Sequence, residues 1–66
     1  MRIVLNGEER QMKHRPTVTD LLNELGVNNR YCAVERNAQL VPREQHDDVI
    51  LEEDDQIEVV TLVGGG

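Results

Sequence analysis

The residues in this chain that could do chemistry fall into three groups and a terminus, and their spacing ranks them. Cys32 is the only thiol. It could in principle carry sulfur as a persulfide, but a reactive thiol needs an exposed, electropositive setting. Cys32 alternates with Val34 in an apolar run, so it reads as a small buried residue. His14 and His46 have no partner at metal-ligand spacing. His46-Asp47-Asp48 therefore reads as a solvated loop, and no metal is expected. Glu52-Glu53-Asp54-Asp55 gathers four carboxylates but lacks the Asp-x-Asp-x-Asp-Gly order of a calcium loop. It reads as a solvated turn or, alternatively, a docking edge.

The terminus is more informative. Gly64, Gly65 and Gly66 follow directly on the β-branched run that ends at Val63. Glycine has no Cβ and visits positive φ freely. Three extended residues span about 10 Å, enough to thread a slot in another protein while the folded body stays outside. The group delivered would be the Gly66 carboxylate, which is inert until it is activated, for example as a mixed anhydride with AMP. Gly7 and Gly26 are isolated, and neither lies in a phosphate-cradling loop. Activation would then belong to an adenylating partner, and this chain would bind no cofactor and be no enzyme. The bland alternative is a frayed end or a cloning remnant. Position right after a strand argues for the functional reading.

Size and composition narrow the partners. Sixty-six residues suit a single domain, which at this size buries only about 60% of its unfolded surface. A net charge of -6 would be repelled by phosphate backbones, so nucleic acid is not expected; a basic patch on a protein is the better match. The charge also serves solubility alone. Tyr31 is the sole aromatic residue, so stacking platforms are excluded and the core must be aliphatic. No apolar run approaches a membrane span, and a reduced thiol suits the cytosol.

The elements that would position the tail can be read from local signals. Met1 to Leu5 alternates as a strand, Asn6-Gly7 supplies a type I′ turn, and a polar edge strand returns over Glu8 to Lys13 with Met12 as its anchor. Thr17 and Asp20 form a capping pattern ahead of Val18, Leu21, Leu22 and Leu25, whose spacing predicts a helix over 18–25 that Gly26 closes. Tyr31 to Arg36 reads as a strand, Asn37-Ala38 as a turn, and Leu40-Val41 as a short strand that Pro42 confines to an edge. Arg43 to Asp48 is irregular, Val49 to Leu51 a short strand, and Gln56 to Val63 the longest strand, central in the sheet. A mixed sheet of four to five strands with one helix, its first and last strands parallel, is the β-grasp or ubiquitin-like roll, an α+β fold. Ile3, Leu5, Val18, Leu21, Leu22, Leu25, Val34, Ile57 and Val59 would make most of the core. Residues 1–63 would form the domain and 64–66 a flexible tail. With Ile57 and Val59 facing the helix, Val60 and Leu62 would lie exposed beside the tail and dock a partner.

The strand-Asn6-Gly7 start, the Thr17-to-Leu25 helix, Val41-Pro42-Arg43-Glu44 and Val63-Gly64-Gly65-Gly66 together resemble the ThiS family of sulfur carriers of thiazole synthesis in thiamine biosynthesis. The resemblance runs the full length. It departs at Glu52 to Asp55, where family members often carry Gly-Asp and this chain has no glycine. It implies that a ThiF-like adenylyltransferase adenylates Gly66 and that sulfur mobilised by a cysteine desulfurase makes a thiocarboxylate there. A ThiG-like thiazole synthase then receives the sulfur, with Gly64 and Gly65 threading the partner's site. The alternatives are the small subunit of molybdopterin synthase, another ubiquitin-like carrier or modifier, and a non-covalent interaction domain.

Overall fold

The structure, a computed structural model, describes residues 1–13 and 15–62. The tail residues Gly64, Gly65 and Gly66, with Val63 and His14, lie outside the described residues. The elements run β1 (Arg2–Leu5), β2 (Glu8–Gln11), α1 (Val18–Leu25), a 3-10 turn (Asn29–Tyr31), β3 (Cys32–Arg36), β4 (Gln39–Val41), a second 3-10 turn (Arg43–Gln45) and β5 (Gln56–Thr61). The sheet order is β2-β1-β5-β3-β4. β1 and β5 pair in parallel and every other pairing is antiparallel, which is the β-grasp roll. β5 is central, as its β-branched sequence requires.

Two hairpin turns bracket β5. Asn6 and Gly7 have φ of 50° and 84°, and Asn37 and Ala38 have 51° and 71°, so both turns need two left-handed residues. Each asparagine also clamps the central strand. Asn6 Oδ1 accepts from Val59 N at 2.9 Å and its Nδ2 donates to Val59 O at 3.3 Å, continuing the ladder where β1 has ended. Asn37 Oδ1 accepts from Gln56 N at 2.9 Å.

All four free N–H groups at the start of α1 are satisfied. Thr17 Oγ1 accepts from Asp20 N at 3.1 Å, and Thr17 O from Leu21 N. The Asp20 carboxylate returns a bond to Thr17 N, completing the capping box. Val18 N and Thr19 N donate to Val49 O and His46 O, both at 3.0 Å. Gly26, at φ 71°, closes the helix.

That last use of Val49 explains one difference from the sequence reading. Residues 49–51 form no strand; Ile50 makes a single bridge to Thr17, and Leu51 N donates to Pro16 O. Their backbone groups are spent on the lead into α1 rather than on the sheet. The core comprises Ile3, Met12, Val18, Leu21, Leu22, Cys32, Val34, Val41, Leu51 and Ile57, while Leu5, Leu25 and Val59 pack partly buried against it. Among the described residues no helix is long and apolar enough to cross a membrane.

Candidate functional site

α1 covers one face of the sheet, and strand alternation leaves the other open. On the covered face lie Ile57 and Val59 of β5 and Cys32 and Val34 of β3. On the open face the register sets Glu35 against Glu58 and Ala33 against Val60. Leu40 of β4 stands beside Glu35. Leu62 N donates to Tyr31 O at 2.5 Å, so the chain is tied to the residue that leads into β3 as far as Leu62, the last described residue. Val60 is 55% exposed, Leu62 51%, Tyr31 59% and Leu40 66%. The expected exposure of Val60 and Leu62 is therefore observed. Alternation along β3 sets Tyr31 and Glu35 opposite Cys32 and Val34, as the sequence reads; joining them and Leu40 to the face of Val60 and Leu62 needed the strand register, which sequence reading lacked.

Cys32 is buried, and loss of hydration pushes its thiol pKa up, with Arg43 opposing in part. A shielded thiol of raised pKa is a poor nucleophile, as the apolar reading of this residue required.

Two sequence readings are corrected. His46 is no part of a solvated loop; it is 2% exposed, with Nε2 3.2 Å from Val41 O, because its own backbone serves the start of α1 and draws the ring into the core. Its Nδ1 has no partner among the described residues. Asp47 is engaged by the Thr19 hydroxyl, and among the described residues no cluster could hold a metal ion.

The 52–55 turn is likewise not simply solvated, since Asp55 is buried. Its Oδ2 accepts from Arg36 Nε at 2.7 Å and Glu52 N at 2.8 Å, and its Oδ1 from Asn37 Nδ2 at 3.1 Å. Desolvation alone would raise its pKa. The Glu52 N–H, the Asn37 amide and the Arg36 guanidinium outweigh that and hold the carboxyl below its usual range. Asp54, at φ 69°, takes the left-handed position for which glycine is the easier residue, and Arg2 binds its carboxylate. The turn thus keeps its shape without the glycine by anchoring both aspartates.

Known proteins share this arrangement. The ThiS family model matches residues 3–66, which includes all three terminal glycines. A sulfur carrier protein ThiS of Bacillus subtilis is 38% identical over 63 residues, covering 94% of this chain and 96% of its own. A thiazole synthase of Paramagnetospirillum magneticum is 46% identical over the whole chain, although the chain spans only 20% of that protein's length. The crystal structure of a thiamine biosynthesis protein (ThiS) from Geobacter metallireducens superposes with a TM-score of 0.84 at 30% identity, covering both chains in full. By sequence along nearly its whole length and by fold, this chain belongs to the ThiS family.

Proposed function

We propose that this chain is itself the substrate of partner enzymes and carries sulfur on Gly66. A ThiF-like adenylyltransferase brings ATP and magnesium; this chain binds no cofactor of its own. A carboxylate oxygen of Gly66 attacks the α-phosphorus of ATP and pyrophosphate leaves. The terminal sulfur of a persulfide that a cysteine desulfurase generates then attacks the acyl carbon and AMP leaves; a second thiol cleaves the S–S bond of the resulting acyl disulfide, forming a disulfide with the former persulfide's cysteine and releasing the thiocarboxylate. Its sulfur is a better nucleophile than oxygen, and a ThiG-like thiazole synthase takes it. Gly64 and Gly65 thread the partner's site, where any side chain would widen the thread. Val60 and Leu62 dock beside it. The cycle runs in the cytosol.

The observation that carries this reading is that the family match extends through Gly64, Gly65 and Gly66, residues that contribute nothing to a hydrophobic core. The similarity of the whole chain to one fifth of a thiazole synthase supports the choice of sulfur acceptor.

The test is genetic. In a host lacking its own carrier, this gene should restore growth without thiamine, and a version with one residue appended after Gly66 should not. Growth of the appended version would contradict the carrier role. A molybdoenzyme defect cured in place of the thiamine requirement would move the chain to the other carrier class.

A further inference from the structure

Five asparagines occur in the chain, and Asn6 alone is followed by glycine. In that dipeptide no Cβ crowds the second backbone nitrogen, so it can reach the side-chain carbonyl carbon of the asparagine and close a succinimide ring. Asn6 and Gly7 are both exposed, and a Cβ built on Gly7 would meet nothing within 4 Å, so neither the ring nor the water that opens it is obstructed. What opposes the reaction is a clamp. Asn6 Oδ1 accepts from Val59 N and Asn6 Nδ2 donates to Val59 O, which fixes the carboxamide against β5.

That clamp also ties two strands. β1 pairs with β5 through Val4 with Gln56 and Leu5 with Ile57, and Asn6 N donates to Ile57 O. Beyond Ile57, the two bonds from the Asn6 side chain are the only hydrogen bonds that reach β5 from this side among the described residues. A carboxylate at position 6 keeps an acceptor for Val59 N but has no N–H for Val59 O, and it sets negative charge against that carbonyl. It would also join Glu35 and Glu58 around one surface depression of a chain already at -6. The second hairpin provides an internal control. Asn37 holds the same left-handed position, φ 51° against 50°, and its side chain bonds Gln56 N and the Asp55 carboxylate. Its successor is Ala38, whose Cβ crowds the attacking nitrogen.

We propose that Asn6 is a site of spontaneous covalent modification, gated by its clamp on Val59. When the clamp opens, Gly7 N attacks Asn6 Cγ. The N–Cγ bond forms, the Cγ–Nδ2 bond breaks, and Nδ2 leaves as ammonia with the proton that Gly7 N gives up. Water then adds to either carbonyl of the imide. One opening gives aspartate, and the other gives isoaspartate, with the backbone routed through Cγ. No electrons are transferred, and water is the sole co-reactant. Either product lacks the Nδ2 donor, so the reaction unfastens β5 from β1 in the stretch that leads toward the glycines.

The test is to age the full chain at mildly alkaline pH, folded and in guanidinium chloride, and to follow every asparagine by peptide mapping with enzymatic methylation of isoaspartyl groups. The folded chain should convert at Asn6 and not at Asn37, on the order of tenfold more slowly than the unfolded chain. A38G, which makes the second turn Asn-Gly, should add conversion at Asn37. N6D and the purified aged chain should each melt about 4–8 °C below wild type. The aged chain is measured beside N6D because it forms from protein already folded. No conversion of folded Asn6 after many half-lives of the unfolded reaction would overturn the site. Equal rates in the two states would overturn the gate, and products that melt with wild type would overturn the loss of the tie. None of these outcomes bears on transfer through Gly66.

Discussion

Ile57 and Val60 sit three residues apart on β5 and face opposite ways. Ile57 is 1% exposed beneath α1, and Val60 is 55% exposed on the open face. Both are β-branched and suit a strand equally. The comparison shows that one short strand serves two purposes. Its covered side holds the domain together, and its open side, together with the sequence that follows it, is available to partners. Stability and recognition are thus separable by residue parity along β5.

The sharpest way to break that separation is to truncate both residues. Ile57→Ala should cost about 2–5 kcal/mol in urea unfolding, a large share of the stability of so small a domain. Val60→Ala should stay within about 0.5 kcal/mol of wild type. Equal losses at the two positions would erase the distinction between the faces.

Asp55→Asn comes next, at about 1–3 kcal/mol, because it leaves the Arg36 guanidinium and the Glu52 N–H with a weaker acceptor. The pH dependence has a fixed sign. The folded-state pKa of Asp55 is lowered, so its contribution is full above the unfolded carboxyl value of about 3.9 and is lost as pH falls through the folded value. Urea midpoints measured from neutral pH downward should drop in wild type below that range, and the Asp55→Asn profile should be flatter there.

A smaller effect of opposite sign is expected at the β3–β4 turn. Ala38 holds φ 71° with a Cβ, whereas the matching position of the β1–β2 turn is Gly7. Ala38→Gly should raise stability by about 0.4–1 kcal/mol in thermal unfolding, as relief of the left-handed strain exceeds the added freedom of the unfolded chain.

The smallest change in stability, within about 0.5 kcal/mol, is expected for Leu62→Asp. That variant should nonetheless weaken binding to the adenylating partner in a pull-down or titration. Unfolding of Leu62→Asp would place the residue in the core and remove it from the docking surface.

Where sequence and structure agree, the signals are local. Asn6-Gly7 dictates a type I′ turn wherever it lies between strands, and Thr17 with Asp20 closes its own capping box. The stripe of Val18, Leu21 and Leu22 buries as its spacing requires. What was not legible depends on partners distant in the chain. Asp55 finds Arg36 and Asn37 only because β3 and β5 align Arg36 with Ile57, and nothing in an acidic tetrapeptide announces that register. His46 is drawn inward by a loop whose carbonyls the helix needs. Residues 49–51 have strand composition, but their hydrogen bonds go to the lead into α1. In the candidate site, Val60 and Leu62 followed from parity along one strand. The facing of Glu35 and Glu58 required the register of two.

The most direct measurement is intact-mass spectrometry of the full chain after incubation with ATP, magnesium, an adenylating partner and a cysteine-derived sulfur source. A carrier that works through Gly66 gives a product heavier by one oxygen-to-sulfur exchange, localised to the C-terminal peptide and absent when a residue is appended after Gly66. An unchanged mass under conditions that convert an established carrier, or sulfur found on Cys32 with Gly66 untouched, would contradict it.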